Sequence, residues 1–359
     1  MQTNNDLLHS GSKHTFYVAP GVWGLKTVFV NLYFIKGETV PGETDSWVLV
    51  DAGIYGSAGK IKQAAEELFG KYNWPKAIIL THGHFDHVGA LKELAIEWDV
   101  PVYAHHMELP YLTGLSSYPP PDPSVGRGGM AYLSFMYPKK PIDITSNLEL
   151  LPNDGSVPGL PEWKWVETPG HTPGHVSFFR EKDRVLLAGD AFITRHGESM
   201  LSVVTQKKEV HGPPSYFTPD WISAQRSVEK LASIQPEIAA TGHGLPMQGP
   251  ELREQLTQLA ANFRKVAVPA HGRYVSEPAI ANEQGLVSVP PPVSNPVNKT
   301  LLTVGLLSAA GVALMLYQKQ RNNAEARKKV IYHNRPTSGA PFAVTIEEDI
   351  PNAYTNNYP

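Results

Sequence analysis

The segment 79-ILTHGHFDHVGA-90 constrains this chain more than any other. It places His82, His84, Asp86 and His87 directly after a short apolar run. Residues two apart on an extended chain point to the same face, so His82 and His84 can converge on one point. Asp86 and His87 follow as the chain turns toward the next helix and can face a second point beside the first. A neutral imidazole nitrogen and a carboxylate are both metal donors, and four of them this close are hard to place in a core or on a solvated loop. The segment therefore demands a strand that ends at a metal-binding loop.

Three further segments repeat that pattern. His171 lies in 168-TPGHTPGH-175, after a strand signal at 163–167. Its neighbour His175 begins the next strand and reads as a packed or supporting histidine. Asp190 ends the apolar run 186-LLAGDAF-192, where its two oxygens could bridge two cations. His243 stands between two glycines in 239-AATGHG-244, where the missing side chains let backbone approach a crowded centre. Ligands gathered at strand ends are typical of α/β architectures.

Around these segments, strand and helix signals alternate from about residue 14 to about 270. Strands are predicted at 15–18, 27–35, 46–50, 77–80, 100–103, 163–167, 175–179, 184–187 and 238–241. Helices are predicted at 58–69, 90–98, 219–231 and 250–266. Two strand-rich blocks, each completed by helices, imply two packed sheets with helices outside. The stretch 107–141 is too rich in Pro and Gly to predict regular structure. Loops of this length beside a site are often lids, so Tyr111, Tyr118, Tyr132 and Tyr137 are candidates to line a substrate pocket.

Composition excludes several chemistries. The chain has no cysteine among its 359 residues, which removes disulfides, thiolate catalysis and iron–sulfur clusters, and leaves a metal to histidine and carboxylate. That donor set suits zinc, manganese or iron. The formal net charge of −3 gives no electrostatic footprint for nucleic acid.

Taken together, His82, His84, Asp86, His87, His171, Asp190 and His243 resemble the full ligand set of the metallo-β-lactamase superfamily. Asp51, in WVLVDAG, matches the short motif that precedes its HxHxDH element. The resemblance covers roughly residues 14 to 270. It implies a four-layer αββα sandwich of mixed α/β (α+β) class with two divalent ions at one edge, most often zinc, with manganese or iron as alternatives. It further implies that His82, His84 and His171 hold one ion, that Asp86, His87 and His243 hold the other, and that Asp190 bridges them. Asp51 would support a ligand histidine through a hydrogen bond. The 52 residues between Asp190 and His243 leave no room for the inserted domain of the superfamily's nucleic-acid-processing members. The pattern is closest to the glyoxalase II and lactonase-like hydrolases. The expected function is hydrolysis of a small-molecule ester, lactone or thioester by a hydroxide shared between the ions, with Asp86 handling its proton. A phosphodiesterase or nuclease is one alternative, and a mononuclear iron oxygenase of the same fold is another.

Four regions are expected: a catalytic domain at 1–275, a Pro-rich linker at 276–299, a hydrophobic helix at 300–317 and a polar tail at 318–359. Residues 300–317 carry no charge and would span about 27 Å as a helix, just adequate for a bilayer core. The N-terminus shows no secretory signal pattern. The expectation is a cytoplasmic catalytic domain, anchored to the membrane by 300–317. The clustering of Lys and Arg after that segment argues for the opposite orientation.

Overall fold

The strands are β1 (Thr15–Ala19), β2 (Val22–Thr27), β3 (Val30–Lys36), β4 (Trp47–Val50), β5 (Ile78–Ile79), β6 (Val102–Ala104) and β7 (Leu148–Leu150) in one sheet, in that spatial order. A second sheet has the order β12-β11-β10-β9-β8, with β8 (Trp163–Glu167), β9 (Val176–Arg180), β10 (Val185–Leu187), β11 (Ile238–Ala240) and β12 (Met247–Gln248). These elements are seen in a computed structural model, which describes residues 14–38, 45–126, 128–195 and 208–293.

Side-chain alternation along the strands divides the core into three sheets of apolar packing. From β3 and β4, Leu32, Phe34, Trp47 and Leu49 face helices α1 (Ala58–Phe69) and α2 (Leu91–Trp98). Their alternating partners Tyr33, Ile35, Val48 and Val50 face the second sheet, where they meet Trp163, Val176, Phe178, Val185 and Leu187. On the far side, Leu186 and Ala239 pack against α3 (Trp221–Ser233) and α4 (Gly249–Ala261) through Ala224, Val228, Leu231, Leu252 and Leu256. The layers therefore run helix, sheet, sheet, helix. β4 is apolar at every position because both of its faces are buried.

Helix boundaries follow local chemistry. Asp220 caps α3 by accepting from the N–H groups of Ile222 and Ser223. Gly70, at φ 93°, closes α1 in a conformation that a side chain would strain.

β4, β5, β6 and β7 run parallel to one another, as do β10 and β11. Their carboxyl ends all open on one edge of the sandwich. Asp51 follows β4 directly, and the loops after β5, β8, β10 and β11 carry His82, His171, Asp190 and His243.

Some sequence expectations need correction. The strand predicted at 27–35 is broken: Val28, with φ 60°, and Phe29 turn the chain between β2 and β3, and the two strands pair antiparallel. The 107–141 stretch is not devoid of regular structure. It holds helical turns at Leu109–Leu112 and Gly129–Leu133, and Val125, Ala131, Met130 and Tyr137 pack with Tyr216 and Phe217. Part of the predicted 276–299 linker is a hairpin, β13 (Ile280–Asn282) and β14 (Gly285–Ser288). Its turn is made by Asn282, whose side chain accepts from the Gln284 N–H. The Leu286 N–H donates to Ser116, and a Cβ on Gly285 would lie 2.2 Å from Ser116, so the hairpin is docked rather than extended. Among the described residues no helix is long and apolar enough to cross a membrane. The predicted hydrophobic helix at 300–317 and the polar tail lie outside the described residues.

The outer core of the first sheet centres on Trp47, which is fully buried and stacks on Phe69 at 4.7 Å. Trp47→Ala is expected to cost about 3–5 kcal/mol of unfolding free energy, measurable by urea denaturation.

Candidate metal centre

The seven predicted ligands meet at that edge. His82, His84 and His171 offer donor atoms that lie within 4.8 Å of one another, as do His82, His87 and Asp190, and as do Asp86, His87 and His243. His84 Nδ1 is 3.1 Å from His82 Nε2 and 3.0 Å from His171 Nε2. Asp190 reaches both sides: Oδ2 is 3.1 Å from His243 Nε2 and 3.5 Å from His171 Nε2, while Oδ1 is 3.7 Å from His87 Nε2. Asp86 Oδ2 is 3.5 Å from His243 Nε2. All seven side chains are buried.

Hydrogen bonds on the outer side decide which nitrogen of His82, His87 and His243 faces inward. His87 Nδ1 donates to Asp51 Oδ2 at 2.8 Å, so Nε2 is the nitrogen that faces inward. His82 Nδ1 lies 3.0 Å from Thr81 Oγ1, whose hydroxyl donates to Asp51 Oδ2 at 2.8 Å. The Thr81 N–H donates to Asp51 Oδ1, so this single carboxylate orients two histidines and joins the ends of β4 and β5. Asp51 sits here at φ 62°, a left-handed backbone that Asp tolerates better than most residues. His243 Nδ1 donates to the Phe29 carbonyl at 2.9 Å, and His171 Nδ1 faces Thr218 Oγ1 at 3.4 Å. The Asp190 N–H donates to His175 Nε2 at 2.9 Å, which places His175 behind the bridging carboxylate.

Close approach at the β11 end requires glycine. A Cβ on Gly242 would lie 2.0 Å from Asp190 Oδ1 and 2.8 Å from His87. Asn31 on β3 holds this loop by donating to the carbonyls of Thr241 and Gly244 at 2.9 and 2.7 Å. Glu108 ties the two histidine loops together. Its Oε1 accepts from Thr172 Oγ1 and the Gly174 N–H, and its Oε2 from the Gly83 N–H and the Tyr118 hydroxyl. Burial raises its pKa.

The electrostatics of the cluster favour cations. Burial, together with the neighbouring imidazoles, holds His82 and His171 well below the ordinary histidine value and brings His84 down to about 3. Burial also opposes charge on His87, yet Asp51 and Asp190 outweigh it and lift that histidine well above its ordinary value. Burial works against ionisation of Asp190 as well, but His243 and His87 hold its carboxyl well below the usual range. His87 Nε2 and Asp190 Oδ1 are nevertheless buried without a hydrogen-bond partner among the described residues. Unpaired buried donors and acceptors are costly, and lone pairs converging at about 3 Å repel. Divalent cations would satisfy both, so the donor set fits metal.

The predicted tyrosines separate. Tyr118 lies against His84, its ring centre 4.6 Å away, and Tyr137 faces Phe85 at 5.5 Å. Tyr111 is buried behind Tyr118, stacked at 3.9 Å, so it packs the loop down. Tyr132 is half-buried, with its hydroxyl 3.5 Å from the Gly126 carbonyl. Sequence reasoning missed Phe217, 4.7 Å from His84, and also Glu108, Asn31 and Arg195. No local spacing marks any of them; each is brought in by long-range packing.

A family model of the metallo-beta-lactamase superfamily matches residues 25–243. The chain belongs to this superfamily. It is 53% identical over 251 residues to the probable metallo-hydrolase YflN of Bacillus subtilis (strain 168), covering 70% of this chain and 94% of that one. The probable metallo-hydrolase YybB of the same organism is 32% identical over 215 residues, 60% of this chain and 80% of that one. Among solved structures, a beta-lactamase domain protein from Burkholderia ambifaria matches with a TM-score of 0.48 and 23% identity, over 70% of this chain and 74% of that one. The superfamily member described here is thus a metallo-hydrolase with His/Asp clusters able to bind metal.

Two outcomes test the centre. Asp51→Asn should weaken metal binding about 10- to 100-fold, read by competition with a chelator. Metal uptake by the metal-free protein should expel the His87 proton. Affinity should therefore be weakest at low pH and rise as pH rises. Calorimetry in two buffers of different ionisation enthalpy measures the released proton directly.

Proposed function

We propose that this metallo-hydrolase is a dinuclear enzyme that cleaves a carboxylic ester, lactone or thioester. The carrying observation is the overlap of the three donor groups, in which Asp190 reaches toward both His171 and His243. His82, His84 and His171 would hold one ion, and Asp86, His87 and His243 the other, with Asp190 between them. Imidazole and carboxylate donors suit zinc first, and manganese or iron also. Bound there, two divalent ions would polarise a carbonyl oxygen and lower the pKa of a water from about 15.7 toward about 7.

The chain's own residues supply the rest. Asp86 is buried, and that burial raises its pKa. A carboxylate of raised pKa at the site is suited to take the proton of the attacking water and return it to the leaving oxygen or sulfur. Asp51, Thr81 and Phe29 keep the imidazoles in the tautomers that leave inward lone pairs. Phe85, Tyr118, Tyr137 and Phe217 form an aromatic wall beside His84 that can exclude water from the reacting carbonyl. The absence of a strong positive charge on the chain disfavours nucleic acid as substrate.

Elemental analysis of purified protein should find two metal ions per chain. On a panel of lactone, thioester, ester and phosphodiester substrates, Asp86→Asn should lower kcat by about 10²- to 10⁴-fold on the carboxylic substrates. One metal per chain, or equal rates for wild type and variant, would refute the proposal.

A further inference from the structure

The hairpin of β13 and β14 adds little to the apolar core. Among the described residues, none of 280–288 belongs to the buried clusters that fill the sandwich, and Ile280 and Val287 are 50% and 58% exposed. A two-stranded hairpin is marginal in water by itself. What holds this one is its attachment to the domain.

That attachment is made at two points, and both lead to the metal centre. At one, the Ala279 N–H donates to the Pro219 carbonyl at 3.0 Å. Pro219 is two residues past Phe217 and adjoins Thr218, whose hydroxyl oxygen faces His171 Nδ1 at 3.4 Å. At the other, the Leu286 N–H donates to Ser116 Oγ at 3.0 Å. Ser116 is two residues before Tyr118, and its own N–H closes on the Pro110 carbonyl at 2.9 Å. Gly285 permits this approach: its φ is 107°, and a Cβ there would lie 2.2 Å from Ser116 and 3.2 Å from Pro110. A cavity of about 260 Å³ is bounded by the same parts, with Pro119, Pro169, Pro173, Pro219, Ile280 and Ala281 in its lining. The hairpin leaves this space unfilled, so its hold on the domain is concentrated at the two bonded ends.

The side chains next to those ends are the two rings that pack on His84, Tyr118 at 4.6 Å and Phe217 at 4.7 Å. Neither ring stands on a strand or a long helix. Tyr118 lies in irregular chain, and Phe217 closes a single helical turn, Ser215–Phe217. Segments of that kind take their position from what they are tied to.

We propose that the β13–β14 hairpin is a positioning element for the substrate wall. It holds the Tyr118 segment from one end and the Phe217 segment from the other, and so sets how closely an acyl group fits against the two rings. This inference rests on the hydrolase reading and adds a determinant of its specificity far along the chain from every ligand.

The test uses the metal-loaded full chain with p-nitrophenyl hexanoate and p-nitrophenyl acetate. Wild type should prefer the hexanoate in kcat/KM, because its chain buries apolar surface on the rings. Gly285→Val, which forces the hairpin off Ser116, should lower that preference about 2- to 10-fold. The loss should appear in the KM of the hexanoate, with kcat and metal content at the wild-type level. Ser116→Ala should shift the preference the same way by less. In a Phe217→Ala background, Gly285→Val should change the preference less than it does in wild type, since one of its two targets is gone. A wild type without preference, a preference unchanged in Gly285→Val, or strictly additive effects in that cycle overturn the inference. So does an equal fall of kcat on both esters with loss of metal, which would make the hairpin a general prop. Should wild type cleave neither ester, the hydrolase reading fails separately, and amide hydrogen exchange decides: faster exchange at 111–118 and 215–219 in Gly285→Val supports the hold on both segments, and unchanged exchange overturns it. If Gly285→Val does not fold, Ser116→Ala carries the same measurements.

Discussion

The structure depends on one buried carboxylate more than on any ligand. Asp51 accepts from the Thr81 backbone and hydroxyl and from His87 Nδ1, and through Thr81 it reaches His82. Without that arrangement His82 and His87 could turn a proton inward, and the convergence of nitrogens would lose its meaning. The same bonds fasten the end of β4 to the end of β5. Fold and chemistry therefore share a single electrostatic joint, in which a carboxylate away from the reacting centre fixes what the centre can bind.

The second sheet contributes by placement. Asp190 and His243 leave β10 and β11, which are parallel neighbours, so their loops emerge side by side. The first sheet then grips the His243 loop through Asn31 and through Tyr33, whose hydroxyl donates to the Thr241 carbonyl at 2.6 Å. Glu108 performs the matching task between the loops after β5 and β8. A site made from both sheets holds its geometry only if the sandwich is rigid, which the buried apolar packing of Ile35, Val48, Val50, Val176, Phe178 and Leu187 between the sheets supports.

Charge is unevenly distributed around this rim. The aromatic wall of Phe85, Tyr137 and Phe217 lies beside the ligand loops, and the Arg195 guanidinium lies behind His243, where it donates to the Phe29 carbonyl.

The candidate ligands were legible in the sequence because each sits a few residues beyond a strand signal and bears a donor side chain, and because together they resemble the superfamily's set. His82, His84, Asp86, His87, His171, Asp190 and His243 needed no coordinates to be found, and neither did the four-layer order of strands and helices. The break of 27–35 into two strands was not legible: Val28 is a β-former, and only pairing between β2 and β3 forces it into a turn. The hairpin at 280–288 was hidden for a similar reason, since its stability comes from docking on Ser116 and not from its own pattern. Glu108, Asn31 and Arg195 carry no motif, because their partners lie far away along the chain. Local sequence supplied the donor side chains at strand ends, and the resemblance to the superfamily grouped them. Tertiary structure alone decided which nitrogens His82, His87 and His243 turn toward the centre, because that depends on groups that only folding brings into contact.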